Sequence, residues 1–286
     1  MKVLITGGQG YIARNLVPLF LNAGYEVNAP SHTEMDLLNF QHTLERLESF
    51  WPDVIIHAAS KGGRRQVKDT WEDVFVPNLK MWEHIAVASR LHTPHPKIIT
   101  IGSGAEFDRR CPIQDRFEIT VQSQWPLDPY GLSKNIITRR ALTALDNAYV
   151  LRLFGCFNFD DDPLRFIKHG ILNLKQGLPV TVHQNREMDY FYLDDVFQVM
   201  DYIINAHPNR IIPRDINLVY NKKVTLLEIA SLIHKHVGIF DPVIRLNDNG
   251  SGNSYTGSSV VLYTLPVAEK LIGLESGICR TVQKLT

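Results

Sequence analysis

The chain is 286 residues long, and 30 lysines and arginines balance 30 aspartates and glutamates, for a sequence pI of about 7.2. This balance excludes a protein built to hold nucleic acid or an anionic membrane surface, since both need a basic excess to meet phosphates. Three cysteines, Cys111, Cys156 and Cys279, share no metal-ligand spacing, so neither a disulfide framework nor a metal site is expected.

In chain order, residues 2–6 read as a strand that runs straight into a glycine turn, which leaves no room for a cleaved leader. No apolar run approaches the ~20 residues that a membrane span needs, and a soluble cytoplasmic chain is expected. Val3-Leu4-Ile5, Val54-Ile55-Ile56 and Ile98-Ile99-Thr100-Ile101 are short and rich in β-branched residues, as strands buried on both faces are. Between them, 12–23, 40–50 and 76–91 carry apolar residues at helical spacing, the first closed by Gly24. The alternation predicts an α/β fold with a doubly wound parallel sheet of Rossmann type.

After Val150-Leu151-Arg152-Leu153, read as the sixth strand, the texture becomes less regular. Helical stretches at 164–175, 195–206 and 226–237 are separated by short strands at Val180-Thr181-Val182 and Ile216-Asn217-Leu218, and the Gly- and Asn-rich segment 247–259 reads as a loop. The expected division is a dinucleotide-binding domain over 1–154, with a segment near 189–218 returning to its sheet. A smaller α/β substrate lobe takes 155–188 and 219–286.

Thr6-Gly7-Gly8-Gln9-Gly10-Tyr11-Ile12-Ala13 follows the first strand and opens the first helix, the context of a dinucleotide fingerprint. Glycine lets the backbone turn tightly against a pyrophosphate, whose charge is met by amides at the helix N-terminus. Gly7, Gly10, Tyr11 and Ile12 are the candidates for that contact. The second strand ends Val27-Asn28-Ala29-Pro30-Ser31-His32, with no carboxylate to bind the adenosine ribose. Ser31 and His32 facing a 2'-phosphate would favour NADP(H) modestly over NAD(H); a turn that touches nothing is the other reading. Asp36 either reaches the adenine or caps the next helix. Lys61-Gly62-Gly63-Arg64-Arg65 is either a local anion pocket or a solvated loop.

Tyr130 and Lys134, four residues apart, share one helix face. A phenol titrates near pH ~10, so it serves as an acid-base group at neutral pH only where a nearby ammonium stabilises its anion, and Lys134 is placed to do so. Read alone, the same stretch is an ordinary helix start after Pro126 and Pro129. None of the other nine tyrosines has a lysine four residues later.

Taken together, the turn at residues 7–13, Asp36, His57-Ala58-Ala59, Asn78, Gly102-Ser103-Gly104-Ala105-Glu106-Phe107, Tyr130 with Lys134, and Asp189-Tyr190-Phe191-Tyr192-Leu193-Asp194-Asp195 resemble the extended short-chain dehydrogenase/reductase family. These enzymes reduce, epimerise or dehydrate nucleotide-linked sugars. The resemblance implies Tyr130 as general acid-base, Ser103 polarising the sugar oxygen, and Lys134 holding the nicotinamide ribose and lowering the tyrosine pKa. It also implies Ala58, Ala59, Asn78 and Phe154 against the cofactor, and Ala105 and Glu106 against the substrate.

The departures discriminate among activities. Gly104 and Ala105 stand where family dehydratases carry an Asp-Glu pair, so dehydration is not expected. GDP-fucose synthases, which this chain resembles at Ala58-Ala59-Ser60-Lys61-Gly62-Gly63, place a cysteine where Ala105 stands; this weakens epimerisation at C3 and C5 and leaves 4-keto reduction. Gly155 and Asn158 exchange the asparagine and glycine of many relatives, and Met188 replaces a common arginine. Arg186 and Arg245 are candidates for the nucleotide diphosphate, each equally readable as a surface arginine. Segments 159–162 and 247–259 are expected to border the substrate. The expected activity is 4-keto reduction of a nucleotide sugar, with a 4-epimerase retaining NAD and a non-catalytic dinucleotide sensor as alternatives. A homodimer through helices 76–91 and 130–145 is expected, with no nucleic-acid or membrane partner.

Overall fold

A computed structural model describes residues 1–63, 67–207, 209–238, 244–247, 250 and 252–285. The elements are β1 (Lys2–Thr6), α1 (Tyr11–Asn22), β2 (Glu26–Asn28), α2 (Phe40–Phe50), β3 (Val54–His57), α3 (Val76–Ser89), β4 (Lys97–Ser103), β5 (Ile113–Arg116), α4 (Pro129–Ala144), β6 (Ala148–Leu153), β7 (Cys156–Phe157), α5 (Phe166–Lys175), β8 (Val180–Val182), β9 (Phe191–Tyr192), α6 (Leu193–Ile204), β10 (Asp215–Leu218), α7 (Leu226–Val237), β11 (Ile244–Leu246), β12 (Tyr255–Gly257) and α8 (Leu274–Leu285). Six strands form one sheet in the order β10-β6-β4-β3-β1-β2, every pairing parallel.

The two-residue period of a strand decides which side chain goes to which layer. Val3, Ile5, Val54, Ile56, Ile99, Ile101, Leu151 and Leu153 face one layer, where they meet Leu16 and Phe20 of α1 and Val196, Val199 and Met200 of α6. Leu4, Ile55, Ile98 and Val150 face the other, against Leu47 of α2, Met81, Trp82 and Ile85 of α3, and Ile137 and Ala141 of α4. Both faces are therefore covered, as an all-parallel sheet requires. Each such aliphatic side chain contributes roughly 1.5–3 kcal/mol on full burial.

A third core lies outside the sheet. Ile167, Ile171 and Leu174 of α5 pack with Val180, Val182, Ile229 and Ile233, and Ile278 and Val282 of α8 close the cluster. The chain reaches this cluster after β6 and returns to the sheet with α6, after which Asp215–Leu218 pairs with β6 at the sheet edge.

Two expectations need correction. The helix read over 76–91 ends at Ser89 and is preceded by a π turn at Trp71–Phe75, so the element starts earlier than the apolar spacing suggests. The segment read as a loop over 247–259 contains β12, whose Tyr255–Gly257 backbone pairs in parallel with β5. Its pairing partner lies more than a hundred residues upstream, beyond the reach of any local pattern.

Candidate active site

Every strand of the sheet ends at the same edge, and the candidate residues converge there, as open α/β sheets place ligands. Gly7 adopts φ +71°, and a Cβ on it would come 2.9 Å from the Ala59 Cα; a Cβ on Gly8 would come 2.1 Å from the Ala29 carbonyl oxygen. The turn is therefore pressed between the ends of β2 and β3, and only glycine fits. Gly10 is the N-cap of α1 and supplies no side-chain acceptor, whereas Asn39, Asp128 and Thr225 cap α2, α4 and α7 with theirs. The first amides of α1 are thus left for an external anion. Tyr11 and Ile12 open the helix; the Tyr11 hydroxyl donates to Asn158 Oδ1 at 3.1 Å, and Ile12 packs on the core.

Beside the turn is a small cavity of about 70 Å³, lined by Pro30, His32, Met35, Asp36, Leu37 and Ala59 among others. Its mostly apolar wall fits a flat heterocycle. Asp36 does not cap α2: its Oδ1 accepts from Leu38 N at 2.9 Å, 3.4 Å from His32 Nε2, and Asn39 is the cap. Ser31 is not free for a 2'-phosphate. Its amide and its hydroxyl both donate to Glu34 Oε2, at 2.7 Å each, and these bonds hold the Glu34 carboxyl below its ordinary range. A carboxylate does stand beyond the second strand, then, delivered by a turn that folds residue 34 back onto residue 31.

At the end of β3, Ala58 and Ala59 are partly exposed beside the glycine turn. Asn78 is buried and does not present its amide outward: it accepts from Lys61 N at 2.8 Å and donates to Lys61 O and Ser133 Oγ. It holds the loop after β3 in place. Gly62 and Gly63 continue the loop with φ +82° and +75°, and a Cβ on Gly63 would touch the Tyr130 ring. Arg64 and Arg65 lie outside the described residues.

Ser103 ends β4 and Tyr130 starts α4, and the serine pulls the Tyr130 phenol downward. Asp128 caps α4 by accepting from Gly131 N at 2.7 Å, and Pro129 fixes its first turn, so Tyr130 is held by local chemistry. Lys134 is buried one turn on; its Nζ donates to Ile101 O at 2.9 Å and stands 6.0 Å from the Tyr130 ring centre. Burial pushes the ammonium down to about 8, against the pull of Glu106. The expected lowering of the Tyr130 pKa is not found in the free site. Burial raises the phenol, outweighing the pull of Ser103, while Glu106 raises it further and Arg109 and Arg165 lower it.

Glu106 is a second correction. It is fully buried, accepts from Ser103 N at 2.7 Å, from Thr138 Oγ1 at 3.0 Å and from Arg152 Nε at 2.7 Å, and its carboxyl is raised by burial against the charge of Arg152. It builds the turn that carries Ser103 and leaves no group for a substrate. Ala105 is likewise buried. Phe154 turns into an aromatic cluster with Phe107 and Tyr255, at ring distances of 6.1 and 5.3 Å.

Arg245 stands exposed on β11, and Arg186 lies in the segment between β8 and β9. The arginines that act on Tyr130 are Arg109 and Arg165, which the sequence reading did not single out. It also missed Tyr255, whose ring lies over Gly104 beside Ser103. Gly155 cannot be an asparagine here, because a Cβ would come 2.9 Å from the Tyr190 ring.

A glycine turn feeding an uncapped helix, with serine, tyrosine and lysine across the same sheet edge, defines a dinucleotide-binding α/β protein. The pattern of the NAD dependent epimerase/dehydratase family matches residues 3–218, and the chain belongs to that family, the extended short-chain dehydrogenases/reductases. It is 23% identical over 304 residues to a GDP-L-colitose synthase of Yersinia pseudotuberculosis, covering 99% of this chain and 97% of the relative. It is 28% identical over 174 residues to a dTDP-4-dehydrorhamnose reductase of Aggregatibacter actinomycetemcomitans, 59% of this chain and 58% of the relative. Its fold matches the Thermus thermophilus UDP-glucose 4-epimerase complex with NAD at a TM-score of 0.75 and 20% identity, over 99% of this chain and 98% of that one. Among the described residues no helix is long and apolar enough to cross a membrane, and no group of three His, Cys, Asp or Glu could hold a metal ion.

Proposed function

We propose that the protein is an NAD(P)-dependent enzyme acting on a nucleotide-linked sugar, and that it reduces a 4-keto group. The observation that carries this is the placement at the sheet edge of Ser103, at the end of β4, and Tyr130, at the start of α4, with Lys134 one turn on and no free carboxylate following Ser103. Gly7, Gly10, Ala58, Ala59 and the Asp36 cavity would hold the dinucleotide. When bound, its reduced nicotinamide supplies a hydride to the carbonyl carbon. Tyr130 gives its proton to the carbonyl oxygen, which becomes a hydroxyl group on the same carbon, and the phenolate regains a proton from water. Ser103 polarises the same oxygen, and protonated Lys134 stabilises the phenolate. The division into a cofactor domain over 1–154 with the returning 189–218 segment, and a substrate lobe over 155–188 and 219–286, is part of this reading.

Dehydration is set aside on steric grounds. A Cβ on Gly104 would meet the Phe154 ring at 2.5 Å and the Tyr255 ring at 2.8 Å, so the acid of a dehydratase has no space there. The relative named as a 4-dehydrorhamnose reductase adds support for reduction. One observation favours a 4-epimerase instead. Glu34 repels a 2'-phosphate, which turns the cofactor reading from NADP(H) towards NAD(H), the form such an enzyme keeps bound. A homodimer through α3 and α4 belongs to the proposal.

The test is loss of reduced-nicotinamide absorbance when purified protein meets a panel of 4-keto nucleotide sugars. Turnover is expected with at least one, reduced about 10²- to 10⁴-fold in Tyr130→Phe. Interconversion of 4-hydroxy epimers with tightly held NAD and no net consumption would replace reduction with the epimerase. Unchanged behaviour of Tyr130→Phe would leave a non-catalytic dinucleotide sensor.

A further inference from the structure

Behind Ser103 the chain makes room for a carboxylate. Gly102 precedes the serine on β4, and a Cβ there would come 2.7 Å from Glu106 Oε1, so the space a side chain would fill holds the Glu106 carboxylate instead. A buried carboxylate is costly to desolvate and is kept only where donors meet its oxygens. The two oxygens of Glu106 serve different elements. Oε1 accepts from Ser103 N at 2.7 Å and closes the turn Gly104–Glu106, within which Ala105 N donates to Ser103 Oγ at 3.2 Å. Oε2 accepts from Arg152 Nε on β6 at 2.7 Å and from Thr138 Oγ1 on α4 at 3.0 Å.

α4 also carries Tyr130 and Lys134, and it grips the serine turn along the neighbouring helical face. Gly131, Asn135 and Thr138 recur there at i, i+4 and i+7. A Cβ on Gly131 would come 2.4 Å from Ala105 O, and Asn135 Nδ2 donates to Glu106 O at 2.9 Å. Residue 106 is therefore bound to α4 through its backbone and through its side chain. Two hydroxyls that act on one oxygen must keep a fixed separation, and a misplacement of about 1 Å costs on the order of 10²-fold in rate.

Resting on the reading of Ser103 and Tyr130 as partners on one carbonyl oxygen, we infer that Glu106 is a positioning residue: its carboxylate ties the Ser103 turn to α4 and so fixes the Ser103 hydroxyl relative to Tyr130. Fully buried, it touches no substrate and exchanges no proton in the cycle. Ala105 N takes one lone pair of Ser103 Oγ, and the turn that Glu106 holds leaves the serine one proton and one lone pair for the substrate oxygen. Glu106→Gln has one acceptor oxygen where Ser103 N and Arg152 Nε each require one. Glu106→Asp keeps the charge, but its shorter side chain cannot span from Arg152 to Ser103 N.

The experiment compares Glu106→Gln, Glu106→Asp, Ser103→Ala and the two double variants. The first readout is amide hydrogen exchange in the free protein, where both Glu106 variants are expected to exchange about tenfold faster over residues 103–107 and as wild type does over α1. The second is turnover of a keto sugar, where each is expected to lower kcat about 10- to 100-fold with KM nearly unchanged. Because Glu106 acts through Ser103, that loss should vanish in the Ser103→Ala background. Equal losses in the two variants separate geometry from charge, which only Glu106→Gln removes. Should neither fold, Thr138→Val removes one bond to the carboxylate and keeps its charge; its expected loss of about two- to fivefold must again be absent when Ser103 is alanine. Losses that multiply in the double variants, or Glu106→Asp as active as wild type, overturn the inference. A wild type that reduces no keto sugar overturns the proposed function instead. Exchange over 103–107 then decides by itself whether Glu106 holds the serine turn, and unchanged exchange overturns that hold.

Discussion

Replacing Lys134 with methionine should stabilise the free protein at neutral pH while abolishing turnover. The ammonium is almost fully buried, and its pKa falls from 10.5 to about 8, burial being the chief cause. At about 1.4 kcal/mol per pH unit, holding the charge in the folded state costs about 3 kcal/mol at pH 7. The sign follows from proton counting. Between pH 8 and 10.5 the unfolded chain binds the proton and the native chain does not, so the cost shrinks as pH rises and is gone above 10.5. Methionine fills a similar volume without charge but leaves Ile101 O without its 2.9 Å donor, a loss of about 1–2 kcal/mol. The net gain is about 1–2 kcal/mol at pH 7, or about 2–4 °C in Tm. Thermal melts of both proteins at pH 7 and pH 10.5, without cofactor, test this. The variant should melt higher at pH 7 and lower at pH 10.5. A variant that melts lower at both, by the same amount, would refute the view that the site stores an unfavourable buried charge.

Glu106→Ala should destabilise by about 3–5 kcal/mol, because Arg152 stays buried with one fewer counter-charge and Ser103 N loses its acceptor. Denaturant unfolding measures it, and Glu106→Gln, which keeps an acceptor, should lose less. Glu34→Gln should improve binding of NADP(H) relative to NAD(H), since it removes the negative charge at Ser31. Titration with the two cofactors reads the ratio, and an unchanged ratio would place the adenosine ribose elsewhere.

The parts of this protein that local chemistry determines are readable in its sequence. β-branched runs gave the central strands because both faces of a parallel sheet are covered, and the Tyr130 to Lys134 spacing survives because Asp128 and Pro129 fix the start of that helix. What failed were contacts made at a distance. Tyr255 sits between glycines and asparagines, and its strand is defined by pairing with residues 113–116. Glu34 comes back to Ser31 through a turn that a strand-end motif does not anticipate. Glu106 follows Ser103 and looks substrate-facing until Arg152, Thr138 and the Ser103 amide account for its oxygens. Arg109 and Arg165 went unread for the same reason: the third dimension, not the order, lets them act on the phenol.

The buried Arg152 also constrains how the molecule can be made. Its guanidinium is shared between Glu106, Asp215 at 2.9 Å and Asn217 at 2.9 Å, so residues from two widely separated parts of the chain balance one charge. During synthesis the ribosome must add some sixty further residues after Arg152 before that balance is reached. A fragment cut at residue 154 would expose the β6 edge where Asp215–Leu218 belongs, beside a cation missing half its partners. The serine turn would therefore be assembled last, and the chain cannot be split at its apparent midpoint into two parts that fold apart.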